Sequence, residues 1–452
     1  MNNQVAMLGP KERHQPVHRR RRWLLALLLL TAAGAGIATV YLTAPRPPLS
    51  DLEGVDPAIA KAIARRERLV RLLPRSGTAW GRLATTFYMH HFNGQADVAF
   101  AMAERLSPRN PRWPYLRGLS MAEEDMDKAL PMLRRAASLV GDGPAAPRLR
   151  FAELALERGH LDEAEAHLAH VLKREPENAR ALLNMGRLEF TRGRLAESRS
   201  FLERSLQHAP GVKASRMLLA TVLQRLGETG ASAQELRAAS SLPEKTFWPD
   251  PFRQEALAFW VGKDALFTRA DDAILQQDFA QARELFQRAV REYPSEARSW
   301  IGLGKVQRSL GDRASATNSL QKALALAPDS LVAHIELGGV FYDEKQFAEA
   351  ERHFRKSIQL KPELSEAWHN LGLSLTAQQK PDEAVEAFER ALSLKPSSAP
   401  SYTFLGQALA MTGQLSAAMA KLDRALELSP DDSSALTLRN QVRTAMNPHG
   451  PQ

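Results

Sequence analysis

The stretch PSEARSWIGLGKVQRSLGDRASATNSLQKALALAP, residues 294–328, decides the fold. It opens and closes on proline, and between the prolines it sets Trp300, Leu303, Gly304, Gly311, Ala316, Leu320 and Ala323. The frame then repeats. Leu337, Gly338, Ala350 and Phe354 lead to Pro362; Trp368, Leu371, Gly372, Ala384, Phe388 and Ala391 lead to Pro396; Tyr402, Leu405, Gly406, Gly413, Ala418, Leu422 and Ala425 lead to Pro430. Pro294, Pro328, Pro362, Pro396 and Pro430 stand 34 residues apart, and the same step separates Pro74 from Pro108 and Pro176 from Pro210. A fixed period of this size means stacked supersecondary units, each burying on its neighbours a face that it cannot bury alone.

Each recurring residue type has a mechanical reason. Gly304, Gly338, Gly372 and Gly406 fall on the first helix of their units, where the lack of a Cβ lets a second helix approach. Ala316, Ala350, Ala384 and Ala418 fall on that second helix, facing the gap. Proline ends the second helix because it cannot donate the next backbone hydrogen bond. This pattern resembles the tetratricopeptide repeat (TPR), which implies an all-α solenoid of antiparallel helix pairs with little or no β-strand. The abundance of Ala, Leu, Arg, Glu and Gln agrees, and aromatics are only 7% of the chain.

Following the frame backwards divides the chain. A first array of about five units is expected over residues 74–243, with Trp80, Leu83, Ala84, Phe87, Ala96, Phe100 and Ala103 in register and less regular units near Pro111, Ala145, Asn178 and Val212. The phase then breaks over residues 244–262 and resumes as a second array of five units over residues 263–430. Residues 45–73 read as a linker and a helix beginning at Pro57, and residues 431–452 as a capping helix with a disordered tail.

Arg19, Arg20, Arg21 and Arg22 run into Trp23–Ala44, 22 residues without a charge. At about 1.5 Å per residue such a helix crosses a hydrocarbon core of about 30 Å. The expected fold is therefore all-α, an N-terminal transmembrane signal-anchor helix (23–44) followed by a TPR α-solenoid in two arrays. The basic residues 1–22 precede the span, so the positive-inside rule puts them in the cytoplasm and the repeats on the far side. That means a single-pass protein of the inner membrane with periplasmic repeats, if the cell is Gram-negative. The Ala33-Gly34-Ala35 stretch leaves a cleaved signal peptide as the competing expectation, and a twin-arginine signal fits more loosely.

Charge and composition exclude several functions. The net charge is +9, of which residues 1–22 contribute +5. No basic face with interleaved aromatics points to nucleic acid. The absence of cysteine removes disulfides, thiolate metal sites and c-type haem attachment. No Walker loop, nucleophile elbow or zinc-protease motif occurs. Gly302 and Gly304 lie in a repeat helix and lack the third glycine of a dinucleotide loop. His160, Glu163, His167 and His170 form a cluster in which His167 and His170 share one helical face; a zinc site would need a third ligand converging there, so they read as solvated residues of a second repeat helix, and His90-His91 reads as polar loop. An enzyme, a cofactor and a small-molecule substrate are all unexpected.

What remains is a binding surface. In TPR arrays the first helix of each pair lines the groove in which peptides lie. The frame maps Arg180, Asn184, Arg187 and Phe190 to the groove of the first array. Arg298, Lys305 and Arg308, with Tyr342, His369, Asn370, Phe404 and Gln407, map to that of the second. Arg298, Lys305 and Arg308 are expected to form one basic stripe able to hold a carboxylate or peptide backbone. No three units carry the two-lysine, two-asparagine, one-arginine clamp of chaperone-tail receptors. In the insert, Phe247, Trp248, Phe252, Phe259 and Trp260 form a second candidate, either a wedge plugging the apolar ends of the arrays or a docking patch.

Residues 56 to 445 are similar in layout to bacterial envelope TPR proteins. That resemblance implies a membrane-tethered scaffold or assembly factor for envelope proteins and names no ligand. The alternative is the recognition subunit of an enzyme system, such as a glycosyltransferase or secretion machinery, whose catalytic chain is separate.

Overall fold

The computed structural model describes Thr43, residues 45–48 and residues 51–447. Among them the regular elements are 23 α-helices and one 3-10 turn. The first is α1 (Pro57–Leu72), with Asp56 accepting from the Ala58 amide and Pro57 at its first position, where a missing N–H costs nothing. The helices then come in pairs joined by tight turns. In the first array these are α2 (Gly77–Met89) with α3 (Asn93–Leu106), α4 (Arg112–Ala122) with α5 (Met126–Leu139), and α6 (Ala146–Glu157) with α7 (Leu161–Arg174). The array ends with α8 (Ala179–Thr191) and α9 (Leu195–His208), then α10 (Lys213–Arg225) and α11 (Thr229–Ser240).

A short helix, α12 (Pro251–Ala256), continues into the 3-10 turn Leu257–Phe259. The second array follows as α13 (Lys263–Leu275) with α14 (Phe279–Glu292), α15 (Ala297–Ser309) with α16 (Arg313–Leu326), and α17 (Leu331–Asp343) with α18 (Phe347–Leu360). It closes with α19 (Ser365–Ala377) and α20 (Pro381–Leu394), α21 (Ala399–Met411) and α22 (Leu415–Leu428), and the single helix α23 (Ser433–Met446). The chain forms two compact units, the first ending at Val261 and the second beginning at Gly262.

Within a pair, a small residue on the first helix receives a large one from the second. A Cβ on Gly372 would stand 2.7 Å from the Phe388 ring, so only glycine allows this approach. Ala384, Phe388 and Ala391 are buried at this crossing, as are Ala316, Leu320 and Ala323 at the crossing of α15 with α16. In most successive units of each array the first helices touch one another, while no two second helices come as close as these. The first helices therefore line the inner face. Removing an apolar face of this kind from water is worth about 25 cal/mol per Å2, which is how each array stands without one large core.

The expected transmembrane helix and the inner-membrane, single-pass localisation require correction. Among the described residues no helix is long and apolar enough to cross a membrane. The longest, α1, has 16 residues and carries Lys61, Arg65, Arg66, Glu67, Arg68 and Arg71; a span needs about 20 apolar ones. The apolar stretch 23–44 lies almost wholly outside the described residues. The periplasmic placement of the repeats rested on that span and is dropped with it.

Candidate functional site: the inner faces of the arrays

In the first array, the residues expected in the groove gather around a carboxylate that the repeat frame did not single out. Arg180 on α8 grips Glu153 on α6 through two hydrogen bonds of 2.7 Å, and Asn184 donates to the same carboxylate at 3.2 Å. Burial pushes the Glu153 carboxyl up, but the hydrogen bonds and charge of Arg180 outweigh burial and hold it below the usual carboxylate range. The group is ionised and committed to its arginine. Asn184 is itself buried, and its Oδ1 has no hydrogen-bond partner among the described residues. Arg187 is exposed, and Phe190 lies 4.3 Å beneath the Arg225 guanidinium.

The insert residues Phe247, Trp248, Phe252, Phe259 and Trp260 belong to the first unit. Helix α12 packs on α2 and α4, and the 3-10 turn packs on α2, all on the inner face. The Tyr115 hydroxyl on α4 donates to Asp250. Burial and the charge of Asp250 both push the Tyr115 phenol well above its ordinary range, so it remains a donor. Phe252 is buried with its ring 5.8 Å from that of Tyr115, whereas Phe247 is 89% exposed. Within the first unit the segment therefore lies along the inner face. The sequence reading missed Tyr115, Arg112 and His90 as its partners, because nothing in a repeat frame marks a residue that meets an insert more than a hundred positions away.

In the second array the expected basic stripe is largely neutralised from within. Arg298 pairs with Asp271 at 2.9 Å and covers the Phe267 ring at 4.5 Å. Arg308 pairs with Asp343 at 2.7 Å and with Glu336 at 3.4 Å. Burial lowers the Arg308 pKa, but these two carboxylates raise it beyond its ordinary value. Of the three, only Lys305 is exposed with no ion pair among the described residues.

Around Arg308 the face opens into a cleft of about 340 Å3, lined by Ile335, Glu336, Tyr342, Asp343, Glu366, Asn370 and Leu373. Gly339 forms its floor: a Cβ there would stand 2.3 Å from the guanidinium of Arg308. Three carboxylates against one guanidinium leave the cleft acidic, and Glu366 is exposed and unpaired among the described residues.

His369 does not reach this cleft with its ring nitrogens. Its Nδ1 meets the Ser401 hydroxyl at 3.0 Å, its ring contacts Phe388 and Phe404, and burial lowers its pKa. Asn370 and Gln407 keep their amides free of hydrogen bonds to other described residues. The histidines noted near residue 165 are also not convergent, since His167 is held by Arg148 at 3.0 Å. Among the described residues no group of three His, Asp or Glu is placed to hold a metal ion.

Family models described as tetratricopeptide repeat match residues 149–213 and 369–433, residues 329–397, and residues 273–334. The Protein CTR9 homolog of Arabidopsis thaliana is 30% identical over 143 residues, which is 31% of this chain and 12% of that protein. This chain therefore matches a small fraction of that relative's length. Two crystal structures are similar over part of the chain. One is of MamA protein, at 24% identity over 37% of this chain and 92% of that one, with a TM-score of 0.33. The other is of TTC0263, a thermophilic TPR protein in Thermus thermophilus, at 20% identity over 40% of this chain and 98% of that one, with a TM-score of 0.34.

Proposed function

We propose that this chain, which is a tetratricopeptide-repeat protein, is a non-enzymatic interaction scaffold that holds an extended segment of a partner protein in the inner face of its second array. The acidic cleft around Arg308 carries this reading. Glu366 is an unpaired carboxylate at its edge, Tyr342 and Leu373 offer apolar surface, and Asn370 offers an amide that can bond a peptide backbone. A segment presenting a lysine or arginine beside an apolar side chain satisfies all three, and extended peptides are a common ligand of such grooves. The paired state of Arg298 and Arg308 argues against a free acidic tail as the ligand, because binding one would first break an internal ion pair.

Photo-crosslinking residues placed at Tyr342 and Asn370 should trap a partner, and the trapped region can be synthesised as a peptide. That peptide should bind the Glu366→Lys chain at least tenfold more weakly than the unaltered chain, about 1.4 kcal/mol. Exposed substitutions of this kind cost within about 0.5 kcal/mol of stability, so the helical circular dichroism should not change. Equal binding to both chains refutes the site.

A further inference from the structure

The segment between the two sets of repeats crosses the inner face of the first array from its last units towards its first. Trp248 packs against the cluster built by Leu183, Leu219 and their neighbours on α8 and α10. Asp250 accepts from the Tyr115 hydroxyl and lies within the field of Arg180. Phe252 sits against Tyr115 and 5.4 Å from the Arg112 guanidinium, which also pairs with Glu255 at 2.7 Å. Phe259 lies 5.2 Å below Arg66 on α1, and its carbonyl oxygen is 3.1 Å from His90 Nε2. The Val261 amide is 3.4 Å from the same nitrogen, so either tautomer of His90 holds this backbone.

These contacts have the character of a bound peptide. The segment is anchored by side chains, and Phe252 and Ala256 are its buried residues between Phe247 and Val261. Its remaining residues in that stretch are partly or fully exposed. The helix pairs do not need it as a building block, since α13 to α22 stack in the same way with no such segment on them among the described residues.

We propose that the inner face of the first array is a recognition groove for a protein segment in which a carboxylate stands between two aromatic side chains, and that residues 247–261 occupy it as the chain's own displaceable ligand. The order Trp248-Pro249-Asp250-Pro251-Phe252 states the chemistry of the partner. An acid meets the Tyr115 hydroxyl, and an aromatic two residues to either side enters the apolar flanks. The partner gains access when the internal segment lifts, so the groove is closed until a competitor of the same pattern arrives. This site is separate from the cleft of the second array, and either can fail while the other stands.

The test uses the full chain and a labelled synthetic peptide of residues 246–261. The Trp248→Ser/Phe252→Ser chain should bind the peptide at least tenfold more tightly than the unaltered chain, whose groove is filled. A peptide carrying the Asp250→Asn substitution should bind that variant at least tenfold more weakly. In the unaltered chain, hydrogen exchange at residues 252–261 should be at least tenfold faster than in α2 and α4, reporting release without unfolding. Equal affinity for the two chains overturns the proposal. So does exchange of the segment only in step with α2 and α4, and so does loss of the first array's helical signal in the variant, because the segment would then be part of the fold.

Discussion

At the scale of single residues, the spacing of proline and the bulky residue six positions later has a hydrogen bond behind it. Trp80 donates its indole N–H to the Pro74 carbonyl at 2.9 Å, and Trp300 and Trp368 do the same to Pro294 and Pro362 at 2.8 Å. Where tryptophan is missing another donor stands in: Arg216 reaches Pro210 at 3.1 Å and His334 reaches Pro328 at 3.0 Å. Each of these prolines stands two residues past the end of a helix, and its carbonyl accepts from a side chain of the helix that follows. The turn inside each unit shows a similar economy. Gly311 and Gly413 take φ of 80° and 77°, while Lys345 and Gln379 hold the equivalent places at 62° and 58°. A side chain is strained there and glycine is not. Gln379→Gly should therefore stabilise the second unit by about 0.5–1 kcal/mol, read as a rise in its calorimetric midpoint, and Gly413→Gln should lower it. A Gln379→Gly chain that melts earlier would contradict this account.

At the scale of helices, α17 and α18 are joined by two buried histidines. His353 Nδ1 lies 2.9 Å from His334 Nδ1, and the His334 Nε2–H is spent on Pro328. His334 is thus the acceptor and His353 the donor, which requires the His334 ring to be neutral. Burial, then the charges of His334 and Arg352, push His353 down to about 4. His334 is lowered chiefly by burial, with Lys356 and Arg352 acting in the same direction and Pro328 and Asp329 opposing. The other face of His353 is covered by the Phe341 ring, 5.5 Å away.

An unfolded histidine takes up its proton near pH 6.5. The stabilisation is therefore complete above that value and is lost as the pH falls from about 6.5 to about 4. The loss should be about 1–2 kcal/mol after solvent screening. Urea midpoints of the second unit at pH 7.5 and 4.5 measure it. The His334→Trp/His353→Leu chain, which restores the tryptophan of other units, should show a flatter dependence, and an equal slope would remove the pair as its cause.

At the scale of the molecule, each unit is a line of pairs whose ends must be covered. The second ends on α23, whose Ala435 and Val442 are buried and whose Leu438 packs on the cluster of Leu405, Leu409 and Leu422. Deleting residues 433–452 should expose that cluster. The midpoint of the second unit should fall by several degrees and binding of a hydrophobic dye should rise, while the helices α2 to α11 keep their stability, because a linear array passes stability only between neighbours. Loss of both units together would overturn this picture.

The sequence by itself determined the helix pairs and their register. The contacts that build a repeat lie at fixed offsets along the chain, so Gly372 facing Phe388 is written into the period. It also put Arg180, Asn184, Arg298 and Arg308 on first helices, which the structure reproduces. Only the tertiary structure decided what those side chains do. Arg308 is claimed by Asp343, 35 residues on, and Arg180 by Glu153, 27 residues back, and no frame says which of several nearby carboxylates will win. The insert was legible as a break and as a cluster of aromatics, but not as a segment packed on the first helices of the first array. Its anchors are Tyr115 with Asp250, 135 residues apart, and His90 with Phe259, 169 apart. Contacts of that length follow from where the stacked helices of the first array bring the chain, and a repeat of 34 residues carries no record of them.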